Sequence, residues 1–215
     1  MSTERSALGT IVVPGHGTVV VSPDAAGLRL GVVVVRPTAG DARQAAARVM
    51  TAVVDALVTG GVERRDLRTS LVSLDAVRDY ASEHGPQVTG YQLTNTVEAT
   101  VRAIDTVGAL IDAALAAGAT RTDGLSFRLA DPRDALAEAR RRAVADARSR
   151  AETLAAEAGV KLGSVVAIAE GGHAPPGPPL PMAELRMKSA ADVATPVEAG
   201  TDELAVGVTV TFAID

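Results

Sequence analysis

The chain has 215 residues, 47% of them hydrophobic and 22% charged, with a net charge of −5 and no cysteine. Lacking thiols, it has no disulfide, thiolate metal site, iron–sulfur cluster or cysteine nucleophile. Its acidic balance and its ring content (two Tyr, two Phe, no Trp) argue against nucleic acid as a partner, because phosphate contacts need a basic face and single strands need stacking platforms.

The length suffices for a core without metal or disulfide staples. That core has to be built from Val, Leu, Ile and Ala. Residues 10–13 and 18–22 are rich in β-branched side chains and are separated by Pro14-Gly15-His16-Gly17. A turn at Pro23-Asp24 and Gly27 then leads into the valine run 28–35. This reads as a β-hairpin whose second strand, lacking alternation, is buried on both faces. Residues 41–59 have helical period, with Ala42, Ala45, Ala46, Val49, Val53, Ala56 and Leu57 on one stripe, Thr38 or Asp41 at the start and Gly60-Gly61 at the stop.

Strands are predicted over 67–77 and 88–101, the second with Thr94, Thr96, Glu98 and Thr100 on one side and Asn95, Val97, Ala99 and Val101 on the other. A helix over 105–117 turns Val107, Leu110, Ile111 and Ala114 inward and stops at Gly118; a strand follows over 125–130. The longest helix, 132–158, opens on Asp131-Pro132 and ends at Gly159. Strands over 165–169 and 204–214 close the chain. Between them, residues 171–201 carry Pro175, Pro176, Pro178, Pro179, Pro181 and Pro196, a stretch read as a mobile loop or an arm lying on another subunit. The order ββαββαβαββ indicates an α+β fold of mostly antiparallel sheets covered by three helices.

The chemistry-bearing residues are sparse. Gly15-His16-Gly17 lacks the strand-to-helix context of a phosphate loop, since Gly17 is followed by Thr-Val-Val-Val, and a turn is the simpler reading. His16, His84 and His173 lie in separate Gly- or Pro-bearing segments without metal-ligand spacing. Asp24, Asp75, Asp79 and Glu83 show no arrangement that would split two carboxylate pKa values, and Asp24 reads as a turn residue bonding its own backbone. On the long helix Ala135, Ala139, Ala143, Ala147, Ala151 and Ala155 recur every four residues, a low ridge for close packing. Stepping 100° per residue, the inward stripe is Leu136, Ala143, Ala147, Ala151, Leu154 and Ala158, with Arg140 inside it. There Arg140 binds an anion, bridges to another subunit, or packs its stem and sends its head to a carboxylate. Glu138–Arg142 and Asp146–Arg150 read as exposed i, i+4 pairs.

Taken in order, Gly15, Gly17, Pro23, Asp24, Gly90, Tyr91, Asn95, Gly118, Phe127, Ala139, Arg140, Ala147, Arg148, Gly159, Gly163, Pro196 and Gly200 resemble the signature of the SIMPL domain family. The resemblance covers roughly 10–214 as one domain after a tail at 1–9, with lobes near 10–101 and 102–214. It implies a two-lobed α+β fold, no known enzymatic activity, no cofactor, assembly of the chain with itself into ring- or channel-like homo-oligomers, and an association with oxidative or envelope stress. It assigns these residues structural rather than catalytic or metal-binding roles.

No run of about 18 apolar residues is long enough to span a membrane as a helix. The start, Met1-Ser2-Thr3-Glu4-Arg5-Ser6, has no basic-then-apolar export pattern, so a cytoplasmic location is expected, the alternative being a periplasmic or secreted protein whose signal has been removed.

Overall fold

A computed structural model describes residues 9–81, 85–171 and 195–215. Its regular elements are β1 (Thr10–Val21), β2 (Ala25–Arg36), α1 (Ala39–Thr59), β3 (Leu67–Asp79), β4 (Gln87–Val101), α2 (Val107–Ala116), β5 (Arg121–Arg128), α3 (Arg133–Ala158), β6 (Leu162–Glu170) and β7 (Asp202–Ile214). The α+β class and the order ββαββαβαββ are those expected. All pairings are antiparallel, in two sheets ordered β3-β4-β2-β5 and β1-β7-β6.

The chain divides into two units, but not at residue 101. One unit holds β1, α3, β6 and β7; the other holds β2 to β5, α1, α2 and the stretch 195–200. The breaks fall after residues 22 and 130 because β1 pairs along its length with β7, from Thr10 opposite Ala213 to Val21 opposite Asp202. The expected hairpin is therefore not formed: β1 pairs with the last strand, while β2 pairs with β4 and β5. The tail at 1–8 and most of the proline-rich stretch, 172–194, lie outside the described residues.

In the four-stranded unit, Leu28, Leu30 and Val32 on β2 are buried with Val53 and Leu57 of α1, Val97 and Ala99 of β4, and Val107 and Leu110 of α2. On the other face Ala25 and Gly31 are buried, Gly27 and Val33 half-buried and Arg29 exposed, so β2 is covered fully on one face and in part on the other. Its valines reflect β-propensity as much as burial. Thr38 caps α1 by accepting the Asp41 N–H at 3.1 Å. Gly61 and Gly118 follow α1 and α2 with φ of 100° and 106°, the left-handed conformation that glycine adopts without strain.

A local clamp holds the chain where it re-enters at Thr195. Gly108 on α2 leaves room for the Thr195 carbonyl, which would stand 2.3 Å from a Cβ there. One turn on, Asp112 accepts the Thr195 N–H at 3.1 Å and the Thr195 hydroxyl at 2.7 Å, and Val197 packs on the core. Asp112→Ala removes both bonds; a loss of about 1–2 kcal/mol is expected, seen as faster amide exchange over 195–200 in hydrogen-exchange mass spectrometry.

In the three-stranded unit, Val13 of β1 and Val206, Val208, Val210 and Phe212 of β7 are buried beneath α3. Asp131 opens α3: its carboxylate accepts the Arg133 N–H at 3.1 Å and pairs with the Arg133 guanidinium. That hydrogen-bonded arginine lowers the Asp131 pKa from 3.8 to about 2. A depressed carboxylate stabilises the fold fully above its unfolded pKa and loses that contribution as pH falls through the folded one. The Tm difference between the chain and Asp131→Asn is therefore expected to shrink as pH falls from 3.8 to about 2, measured by thermal melts in pH steps.

Candidate functional site

Gly15 and Gly17 do not turn the chain. β1 runs straight through them, with Gly15 opposite Val208 and Gly17 opposite Val206. The reason for glycine is the helix above. A Cβ on Gly15 would lie 2.1 Å from the Ala143 carbonyl oxygen and 2.7 Å from the Ala147 Cβ; one on Gly17 would lie 2.0 Å from the Ala139 oxygen and 2.5 Å from the Ala143 nitrogen. The alanine ridge of α3 therefore rests directly on the backbone of β1. The buried row is Ala139, Ala143, Ala147, Ala151 and Ala155, which corrects the projected stripe: Leu154 is 51% exposed and Ala158 is exposed. An i, i+4 row drifts by about 40° per step around the helix, so a helix seated on that row leaves a fixed 100° projection behind.

The same correction moves Arg140 to the flank. Its Nε donates to both carboxylate oxygens of Glu170 on β6 at 3.1 Å, with its side chain 44% exposed. This pairing raises the Arg140 pKa, chiefly through the Glu170 hydrogen bond. An anion at Arg140 would have to displace Glu170, so the geometry favours the carboxylate-paired reading. The other charges of α3 go beyond surface pairs. Glu138 holds Arg141 and Arg142, and Arg142 donates on to the Thr18 carbonyl at 2.8 Å. Asp146 accepts the His16 N–H at 2.8 Å as well as Arg150, and these donors hold its pKa below the ordinary carboxylate value. Both contacts cap backbone groups on the outer edge of β1. Sequence spacing carried no signal for them, since the partners lie 124 and 130 residues away.

The remaining residues do not converge. His16 is exposed on β1, while His84, His173 and Glu83 lie outside the described residues. Asp75 accepts the Ser73 hydroxyl and Asp79 the Ala81 N–H. Asp24 does not bond its own turn: its carboxylate accepts the Ala130 N–H at 2.6 Å, while its N–H donates to the Arg128 carbonyl. Pro23 beside it is buried. Gly90 faces the Arg36 carbonyl and Gly163 the Ala213 carbonyl, each with 3.0 Å available to a Cβ. Tyr91 packs on Ala42, Ala46 and Leu93, and Phe127 on the larger core. Gly159 ends α3 at φ 71° and Gly200 turns at φ 63°; Arg148 and Pro196 are exposed.

A cleft of about 370 Å³ beside Gly61, Thr100 and Leu110 contains Asp66 and Arg102, bonded to each other at 2.9 and 3.1 Å. This pairing holds the Asp66 carboxyl below its usual range and leaves a neutralised pair rather than a poised acid or base. Among the described residues, no group of three His, Asp or Glu side chains is placed to hold a metal ion. Asn95 Oδ1 is buried without a partner, in a groove lined by Met50, Val54 and Asp55.

The unusual surface is aliphatic. β3 is exposed along most of its length, with Leu71, Val72 and Leu74 open to water, and β6 likewise exposes Val165, Val166 and Ile168. Each is the outermost strand of its sheet. Exposed aliphatic side chains on a terminal strand are surface that burial would stabilise.

The family model for SIMPL, a protein of unknown function (DUF541), matches residues 11–212. The chain is 35% identical over 210 residues to the 26 kDa periplasmic immunogenic proteins of Brucella melitensis and Brucella abortus, covering 95% of this chain and 84% of each relative. It is 30% identical over 184 residues to the uncharacterized protein YggE of Escherichia coli, covering 85% of this chain and 73% of that protein. The relatives named periplasmic overturn the expected cytoplasmic location, which rested on the character of the first six residues alone. No described helix is long and apolar enough to cross a membrane.

Proposed function

Because the chain belongs to the SIMPL family, whose function is unknown, we propose that it is a non-enzymatic, self-assembling protein of the periplasm, forming a ring-, channel- or shell-like homo-oligomer. The observation that carries this reading is the aliphatic surface of β3 and β6. Val72 is 62% exposed, Val166 58% and Ile168 54%, on strands that each end a sheet. Symmetric association hides such surface at no cost in new sequence. The periplasmic placement is supported by the names of the Brucella relatives.

Light scattering coupled to sizing chromatography tests the reading. At micromolar concentration the expected mass is a whole multiple, above one, of the 21.8 kDa chain. A single 21.8 kDa species would overturn it.

A further inference from the structure

We infer that the side of the four-stranded sheet turned away from α1 and α2 binds a doubly charged oxyanion of the phosphate class, held over Gly27 by Arg29, Arg128 and Ser126. This site is independent of self-assembly and follows from the register of β2, β4 and β5.

Residues of β2 alternate between the two sides of the sheet. Leu28 and Leu30 pack with α1 and α2, so Ala25, Gly27 and Arg29 line the opposite side. There Gly27 sits between Thr100 of β4 and Ser126 of β5, Arg29 between Glu98 and Gly124, and Ala25 beside Arg128. Because two of these positions are glycine, a hollow of about 110 Å³ opens, lined by Gly27, Arg29, Glu98, Gly124, Leu125 and Ser126. A water's share of liquid volume is about 30 Å³, so the hollow takes a few waters or one small tetrahedral oxyanion.

Donors converge on the floor of this hollow. A Cβ on Gly27 would stand 2.9 Å from Ser126 Oγ and 3.9 Å from Arg128 Nη1, so an oxygen placed in that space reaches hydroxyl and guanidinium together. Arg128 Nη2 donates to Thr100 Oγ1 at 3.1 Å, which holds its guanidinium across β2. Arg29 stands two residues along the same strand, on the same side. Glu98 also lines the hollow, but Arg68 pairs with it at 2.6 Å. Arg29 and Arg128 act on that carboxylate at longer range and form no ion pair among the described residues. By contrast Arg102, Arg121 and Arg140 are taken by Asp66, Asp123 and Glu170. A local surplus of two guanidiniums therefore remains, in a chain whose net charge is −5. A dianion matches that surplus, and arginine-to-oxyanion bonds are among the stronger hydrogen bonds.

Calorimetric titration with inorganic phosphate in low-salt buffer tests the site. Saturable binding is expected, weakened at least about tenfold by Arg29→Ala and by Arg128→Ala. Gly27→Ala is expected to weaken it as well, because its Cβ fills the floor while both charges stay. Arg43→Ala, at an exposed position of α1 on the other side of the sheet, is expected to leave binding unchanged. Thermal melts without phosphate check each variant's fold; should Gly27→Ala lower Tm, Ser126→Val fills the same space from the outermost strand. A second arm identifies the source of the oxyanion. Pelleting with phosphatidylcholine vesicles that contain phosphatidic acid, but not with phosphatidylcholine alone, and lost in Arg29→Ala, would assign a lipid headgroup; phosphate binding without pelleting would assign a soluble anion. A chain that binds neither probe overturns the inference, as does a Gly27→Ala or Ser126→Val protein that binds phosphate like the unsubstituted chain.

Discussion

Gly17→Ala is expected to cost the three-stranded unit about 3 kcal/mol or more, the upper end of overpacking penalties, and to lower Tm by about 10 °C at about 2–4 °C per kcal/mol for a chain of this size. The added Cβ meets the Ala139 carbonyl oxygen at 2.0 Å and the Ala143 nitrogen at 2.5 Å. Both are backbone atoms of a continuous helix, so no rotamer change relieves them; α3 must lift off β1 along its ridge. Lifting would also uncover Val208 and Phe212 and pull Arg142 and Asp146 from the edge of β1. Gly207→Ala is the matched control: on the neighbouring strand, the nearest atom to its Cβ is His16 Nδ1 at 3.9 Å, and a change within about 0.5 kcal/mol is expected. Thermal melts of the two variants side by side decide the matter; equal Tm values would refute the contact.

Phe212→Ala is the second large loss, about 3–5 kcal/mol. Phe212 is 1% exposed and is the one large side chain among the fully buried valines and alanines of its core, with Ile11, Leu136 and Leu162 only partly buried at the margin. Phe127, the other phenylalanine, is half-buried on the outermost strand β5, so Phe127→Ala is expected to cost clearly less. Urea titrations report both, and a Phe127→Ala loss equal to that of Phe212→Ala would contradict this account of the core.

The helix starts and stops were legible because they are local. Thr38 caps α1, Gly61, Gly118 and Gly159 take left-handed conformations, and the inward residues Leu110, Ile111 and Ala114 of α2 sit where a 3.6-residue period puts them. The alternation of β4 likewise separated Thr94, Thr96 and Glu98 from Val97 and Ala99. Pairing was not legible. Pro14-Gly15-His16-Gly17 has the composition of a turn, and only the arrival of α3 and β7 from the far end of the chain makes it a strand. Asp24 has the look of a turn residue, yet its partner is Ala130. The surface proposed for assembly was half visible: the strands are evidently aliphatic, but which of them end their sheets uncovered is not written in any window of residues.

Sequence alone therefore determined the α+β class, the order of ten elements and the alanine ridge, since propensity, capping and periodicity act within a few residues. Tertiary structure decided that the first strand joins the last, that Gly15 and Gly17 exist for contact rather than for turning, that Arg140 belongs to Glu170, and that the exposed aliphatic strands β3 and β6 each end a sheet. Each of these depends on which backbone lies alongside, and the partner is distant in sequence: 30 residues for Arg140 and Glu170, and 130 for His16 and Asp146.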